Sequence, residues 1–157
     1  YVQGLGTGVS LQVHQTFVLA GLPALVKYER VCAAGVWQPW VRTYYDSGFI
    51  SPTLVNGFVD IHALRYRNLN GVVTISGSLG KASPWLAGVL AFTLPDGFRP
   101  FGLVGNSTWV LASGGHQIVE VNINSAGQFY VGNTYTLAGT PTGTGSTYLG
   151  LTYSANA

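Results

Sequence analysis

Methionine is absent from the 157 residues, cysteine occurs once, and only 8% of the side chains are charged. Each shortage excludes something. A single cysteine, Cys32, cannot build an internal disulfide framework or a four-cysteine zinc site. Alternating with Val26 and Tyr28 on one strand face, it is expected as a buried thiol and not a reactive nucleophile. Seven basic and five acidic residues are scattered singly for a net charge of +2, so no clustered basic groove forms and no nucleic-acid partner is expected. Arg65 and Arg67 come closest to a cluster, and their alternation makes them rim residues. Every apolar run is broken by Gly, Pro, Asn, Ser or Thr well short of the roughly 18 residues of a membrane span, which argues against membrane insertion. A chain that opens on Tyr1 and has no methionine is expected to be the distal piece of a longer polypeptide, which leaves targeting signals unreadable.

What the sequence does contain is period-two alternation. It runs through "VSLQV" and "LVKYERVC", while no long stretch holds apolar residues at helical spacing, so the chain is expected to be all-β. Gly is abundant, at 22 residues, and turn signals fall at short intervals: "NLNG", "PDG", "SGG" and "NSAG". That rhythm suits an antiparallel sandwich or barrel. Strands are expected over 9–15, 25–33, 36–42, 57–62, 64–67, 72–78, 89–93, 102–104, 108–112, 117–123, 128–131 and 147–153. The hairpin through Asn70-Gly71 carries the clearest signal.

A boundary is expected near 43–49, giving a small β-rich module over 1–43 and a larger domain over 44–157. The first is too short for a large core of its own. The stretch "AGTPTGTGST", 138–147, reads as a Gly/Thr/Pro loop. Residues 121–157 carry no charge, and the mean hydropathy of +0.31 is high for a monomer. Burial between copies of the chain is the expected reason.

Two stretches resemble a known family. In "YERVCAAGVWQPWVR", the residues Arg30, Gly35, Trp37, Trp40 and Arg42 follow the pattern of the knob module of phage tail fibres and R-type pyocin fibres. The succession "GFVDIHALRYRNLNGVVTISGSL", "VLAFTLPDGFRP" and "VEVNINSAGQFYV" resembles the C-terminal head domain of phage tail-fibre receptor-binding proteins. The resemblance implies a jelly-roll-like antiparallel β-sandwich head, assembled as a homotrimer at the tip of a virion fibre. Its implied work is attachment to a bacterial cell-surface polysaccharide or other glycan. It also marks Trp37, Trp40, Arg42, Pro95, Gly97, Arg99 and Pro100 as structural. Pro95, Asp96, Gly97 and Pro100 form a stiff corner that cannot continue a strand, and Arg99 is expected to hold it through carbonyls or Asp96.

No catalytic signature emerges, and no enzyme activity, metal or cofactor is expected. Gly4, Gly6 and Gly8 lack the setting of a dinucleotide fingerprint and read as a flexible lead-in or turn. His14, His62 and His116 share no ligand spacing. The acids Glu29, Asp46, Asp60, Asp96 and Glu120 leave a polysaccharide depolymerase as a minor alternative, acting through Asp60 or Asp96. A structural trimerisation cap is another. The aromatic content, with four Trp and nine Tyr, favours stacking on sugar C–H faces. Trp109 with His116, Asn106 and Gln117, placed on a hairpin at 109–116, and Trp85 are the candidate saccharide contacts. Trp37 and Trp40 are expected to serve packing.

Overall fold

The computed structural model describes residues 2–5, 12–21, 24–82 and 84–156, and among these every regular element is a strand. The strand pairs within each unit are antiparallel. The chain divides into two compact units, Tyr1–Gly48 and Phe49–Ala157.

The first unit contains β1 (Val2–Leu5), β2 (Gln12–Gly21), β3 (Ala24–Ala33), β4 (Val36–Trp37) and β5 (Val41–Asp46). β3 is central, paired with β2 along one side and with β4 and β5 on the other. The single strand expected over 36–42 is interrupted at 38–40. Pro39 has no N–H to give to a ladder, so pairing stops before it and resumes after it. Gly4 belongs to β1 and not to a flexible lead-in. Gly6, Gly8 and the start of the strand expected over 9–15 lie outside the described residues.

The second unit contains β6 (Phe58–Leu69), β7 (Val72–Ala82), β8 (Leu90–Thr93), β9 (Val104–Ile123) and β10 (Gln128–Ser154). β10 pairs with β8 and β9 along its first part and with β7 along its last. The β6–β7 hairpin closes through Asn70 and Gly71, with φ of +52° and +84°, the pairing of signs a tight primed turn requires. The Asn68 side chain accepts the Gly71 N–H at 2.8 Å and fastens it.

Several short segments of the sequence reading fuse into long strands. The pieces at 57–62 and 64–67 are one strand with a bulge, where Ala63 adopts φ +46° and the Leu64 N–H is taken by Asp60 at 2.8 Å. Gly77 on β7 makes room for that bulge, since a Cβ there would lie 2.5 Å from the Leu64 Cα. The pieces at 102–104, 108–112 and 117–123 are covered by β9, apart from the first residues. The loop expected at 138–147 and the turn expected at Ser113-Gly114-Gly115 are both strand. Their glycines and proline mark register shifts instead of reversals: β9 and β10 run side by side here, so each supplies the other's hydrogen-bond partners.

The core of the second unit follows from the alternation. Leu64, Val73, Ile75, Leu79, Val119, Val121, Ile123, Phe129 and Val131 are all buried. Each such side chain contributes about 1.5–3 kcal/mol by leaving water. Phe92 and Phe129 stack at 4.5 Å, and Phe58 meets Trp85 edge-on at 5.2 Å.

The corner at 94–100 is tied down from several directions. Gly97 has φ +79°, and the Phe98 N–H closes on the Pro95 carbonyl at 3.2 Å. Arg99 donates to the Leu94 carbonyl at 3.2 Å and pairs with Asp96 at 2.6 Å. From elsewhere in the chain, Asn68 donates to the Gly97 carbonyl at 2.5 Å and the Tyr153 hydroxyl to the Phe98 carbonyl at 2.8 Å. Phe98 is buried edge-on against Tyr66 at 5.0 Å, and Pro100 bridges to Ala155.

Candidate functional site

Register decides what the second unit shows to solvent. Along β10, Thr147, Leu149, Leu151 and Tyr153 are buried while Tyr148, Gly150, Thr152 and Ser154 are exposed. The outward residues pair with small ones on β7: Ser146 with Gly80, Tyr148 with Ser78, and Gly150 with Ser76. On β6 beyond, Val59 pairs with Gly80 and His62 with Ser78. On the other flank, Leu111 of β9 pairs with Ser146, and Trp109 lies two residues further on the same outward parity, separated by buried Val110.

The outcome is a strip of large side chains over a floor of glycine and serine. Tyr148 is 72% exposed and stacks on His62 across Ser78, with centroids at 5.7 Å and planes 20° apart. Trp109 and Leu111 are 57% and 58% exposed. The Thr108 hydroxyl bonds that of Thr147 at 2.5 Å, holding this end of β9 against β10. Ile61 lies directly over Gly80, where a Cβ would come within 2.7 Å of its Cγ1. Flat aromatic faces can stack on the C–H surfaces of a sugar, and the half-buried Ser76 and Ser146 can bond its hydroxyls, whereas Ser78 is buried.

The sequence-derived saccharide contacts separate into two groups. Trp109, Asn106 and His116 are exposed on β9. Trp109 and His116 do not share a hairpin loop; they lie on one strand seven positions apart, roughly 23 Å at the rise of an extended chain, so one small sugar cannot touch both. Trp85 and Gln117 are buried and bind each other. The Gln117 amide accepts the Trp85 N–H at 3.0 Å and faces its carbonyl at 3.4 Å, while the indole N–H reaches the Lys81 carbonyl at 3.3 Å. With no face in solvent, neither is a contact for an external ligand, and both are removed from the candidate set. Tyr148 and His62 are not among the saccharide contacts expected from sequence. The alternation of "STYLGLTYS" gives Tyr148 its outward face, but only the β6–β7–β10 register brings His62 beside it.

The five acids are each engaged locally. Glu29 pairs with Lys27 at 2.6 Å, Asp60 with Arg65 at 3.1 Å, and Asp96 with Arg99. Glu120 accepts from the Asn133 side chain at 2.9 Å, and Asp46 from the Gly48 N–H at 2.8 Å. Asp60 thus serves the β6 bulge and Asp96 the corner. Among the described residues no three His, Cys, Asp or Glu side chains gather as a metal site. His14 side-chain placement is outside the described set. Tyr153 and Tyr66 have phenol pKa values pushed up by burial.

Trp37 and Trp40, in the first unit, both lie against one cation: the Arg30 guanidinium is 4.5 Å from the centre of each ring. Arg42 lies over Tyr45 at 5.2 Å. No family model matches this chain, and neither a curated protein nor a solved structure is significantly similar to it.

Proposed function

We propose that this chain is the distal part of a phage tail fibre, a receptor-binding protein that attaches the virion to saccharide on the bacterial cell surface without catalysis. The second unit is then a jelly-roll-like β-sandwich head, working as a homotrimer at the fibre tip, and the first a knob-like module. The supporting observation is the Trp109–Tyr148 strip, two broadly exposed aromatic rings over a Gly/Ser floor with hardly any charge. Such a patch on a soluble domain marks an interaction surface. Weak sites repeated three times on each fibre gain strength through effective concentration.

A trimerisation cap is favoured by a different observation, the exposure of Phe101 and Leu103 at 70% and 67%. These suit burial between copies better than contact with sugar. The two readings separate in one experiment: light scattering for the mass of the fragment, then binding to host cells with and without competing surface saccharide. Saccharide-competed binding by a trimer, lost in Trp109→Ala and Tyr148→Ala variants that keep the mass, supports adhesion. A trimer without cell binding, whose mass collapses in Phe101→Ala and Leu103→Ala variants, supports the cap. Release of reducing ends from host polysaccharide, lost in Asp60→Asn or Asp96→Asn, would indicate a depolymerase instead.

A further inference from the structure

The first unit carries a second candidate site. Phe17, Tyr28 and Trp40 line a recess of about 410 Å³, within the size range of small-molecule sites. Phe17 and Tyr28 are direct cross-strand partners on β2 and β3, and the Trp40 ring stands 6.4 Å from that of Phe17 at 57°. Trp40 is held in this pose by a neighbouring cation. The Arg30 guanidinium lies 4.5 Å from the centres of both the Trp40 and the Trp37 rings, and its Nε–H is held by the Gln15 side chain at 2.8 Å. The recess is therefore preorganised, which lowers the entropic cost of filling it.

Charge is segregated across this sheet. Directly opposed residues share a face, so Gln15 with Arg30, Phe17 with Tyr28 and Tyr28 with Arg42 place both arginines on the aromatic side. Glu29, paired with Thr16 and Val41, and Asp46, paired with Leu25, fall on the opposite side. Lys27 is there too, ion-paired with Glu29. The aromatic face thus holds two cations and neither of the unit's acids. Among the described residues, no protein group takes the Nη donors of Arg30.

We propose that this face binds an acidic saccharide. A pyranose ring lies against Phe17, Tyr28 and Trp40, and its carboxylate takes the free guanidinium donors of Arg30 and Arg42. Planar guanidinium donors match a carboxylate in bidentate fashion, and the flanking rings present flat surfaces for sugar C–H groups. A quaternary ammonium, the other usual guest of aromatic cages, is repelled by the same two arginines. The site is separate from the Trp109–Tyr148 strip, and it takes from the adhesion reading only the saccharide nature of the ligand.

The test is calorimetric titration of the full chain with a hyaluronan hexasaccharide, which carries glucuronate at alternate residues, and with its carboxyl-reduced neutral form. An oligothymidylate of eight residues serves as the non-saccharide polyanion. The hexasaccharide should bind about tenfold or more tightly than the reduced form, with affinity falling as salt is raised. Phe17→Ala, Arg30→Gln and Arg42→Gln should each weaken it about tenfold, whereas Leu86→Ala, at an exposed position of the second unit, should leave it unchanged. Arg42→Gln covers the case in which Arg30 or Trp40 variants fail to fold. Equal affinity for acidic and reduced forms, no binding at millimolar concentration, insensitivity to the Arg42 and Phe17 variants, or tighter binding of the oligothymidylate overturns the proposal. Loss of binding on Trp109→Ala alone would place the acidic ligand on the other unit and overturn it too, while sparing the adhesion reading.

Discussion

Replacing Gln117 by leucine removes the side chain that hydrogen-bonds the buried main chain of Trp85. The Trp85 N–H loses its acceptor at 3.0 Å, and its carbonyl loses a weaker donor at 3.4 Å. A buried donor left unsatisfied costs about 1–3 kcal/mol, and the longer contact adds a fraction more, so a loss of roughly 1.5–3.5 kcal/mol is expected. Against a total stability of about 5–15 kcal/mol this is large. It should appear as a drop in the urea midpoint with little change in slope, followed by tryptophan fluorescence at fixed protein concentration. Gln117→Glu sharpens the test. The carboxylate keeps an acceptor for the Trp85 N–H but turns its second oxygen toward the Trp85 carbonyl, where only the protonated acid can donate. Its folded-state pKa must then lie above the unfolded value of about 4.3. The proton is favoured in the fold, so the deficit is small below that value and grows as pH rises through it. An unfolding midpoint within about 0.5 kcal/mol of the parent for Gln117→Leu, or a deficit for Gln117→Glu that is the same at pH 3 and pH 7, would refute this account of the pair.

Other expectations follow from single sites. Gly77→Ala places a Cβ 2.5 Å from the Leu64 Cα at φ +123°, and should cost on the order of 3 kcal/mol in thermal or urea unfolding. Trp109→Ala, at a site more than half exposed, should change stability by less than about 0.5 kcal/mol while abolishing saccharide-competed cell binding. Asp96→Asn should cost at most about 1 kcal/mol, because the carboxylate of the Arg99 pair is largely solvated. With the Tyr153 phenol pKa raised by burial above the unfolded value of 10.0, stability should be level below pH 10 and fall as pH rises past it. Tyr153→Phe should flatten that alkaline limb at the expense of the Phe98 carbonyl bond, and an unchanged limb would show that the proton is lost elsewhere.

Local chemistry settled a good deal of this protein. Alternation and the lack of helical spacing fix the all-β class, because a period of two allows one buried face only on a strand. Asn70-Gly71 specifies its hairpin because few residues tolerate two successive positive φ values. The prolines, Gly97 and the Asp96–Arg99 pair set the corner locally, and Asn68 and Tyr153 fasten it from distant parts of the chain. Tertiary structure decided the rest. Glycine, threonine and proline at 138–147 signal a loop from composition alone, and only the nearness of β9 supplies the partners that make the segment a strand. Trp85 and Trp109 both flank turn-like sequence, and nothing local shows that one is sealed under Phe58 and Gln117 while the other stands in solvent. His62 and Tyr148 are 86 positions apart. Their stack, like the pairing of Tyr28 with both Phe17 and Arg42, is a property of strand register, which emerges only once the sheet has formed.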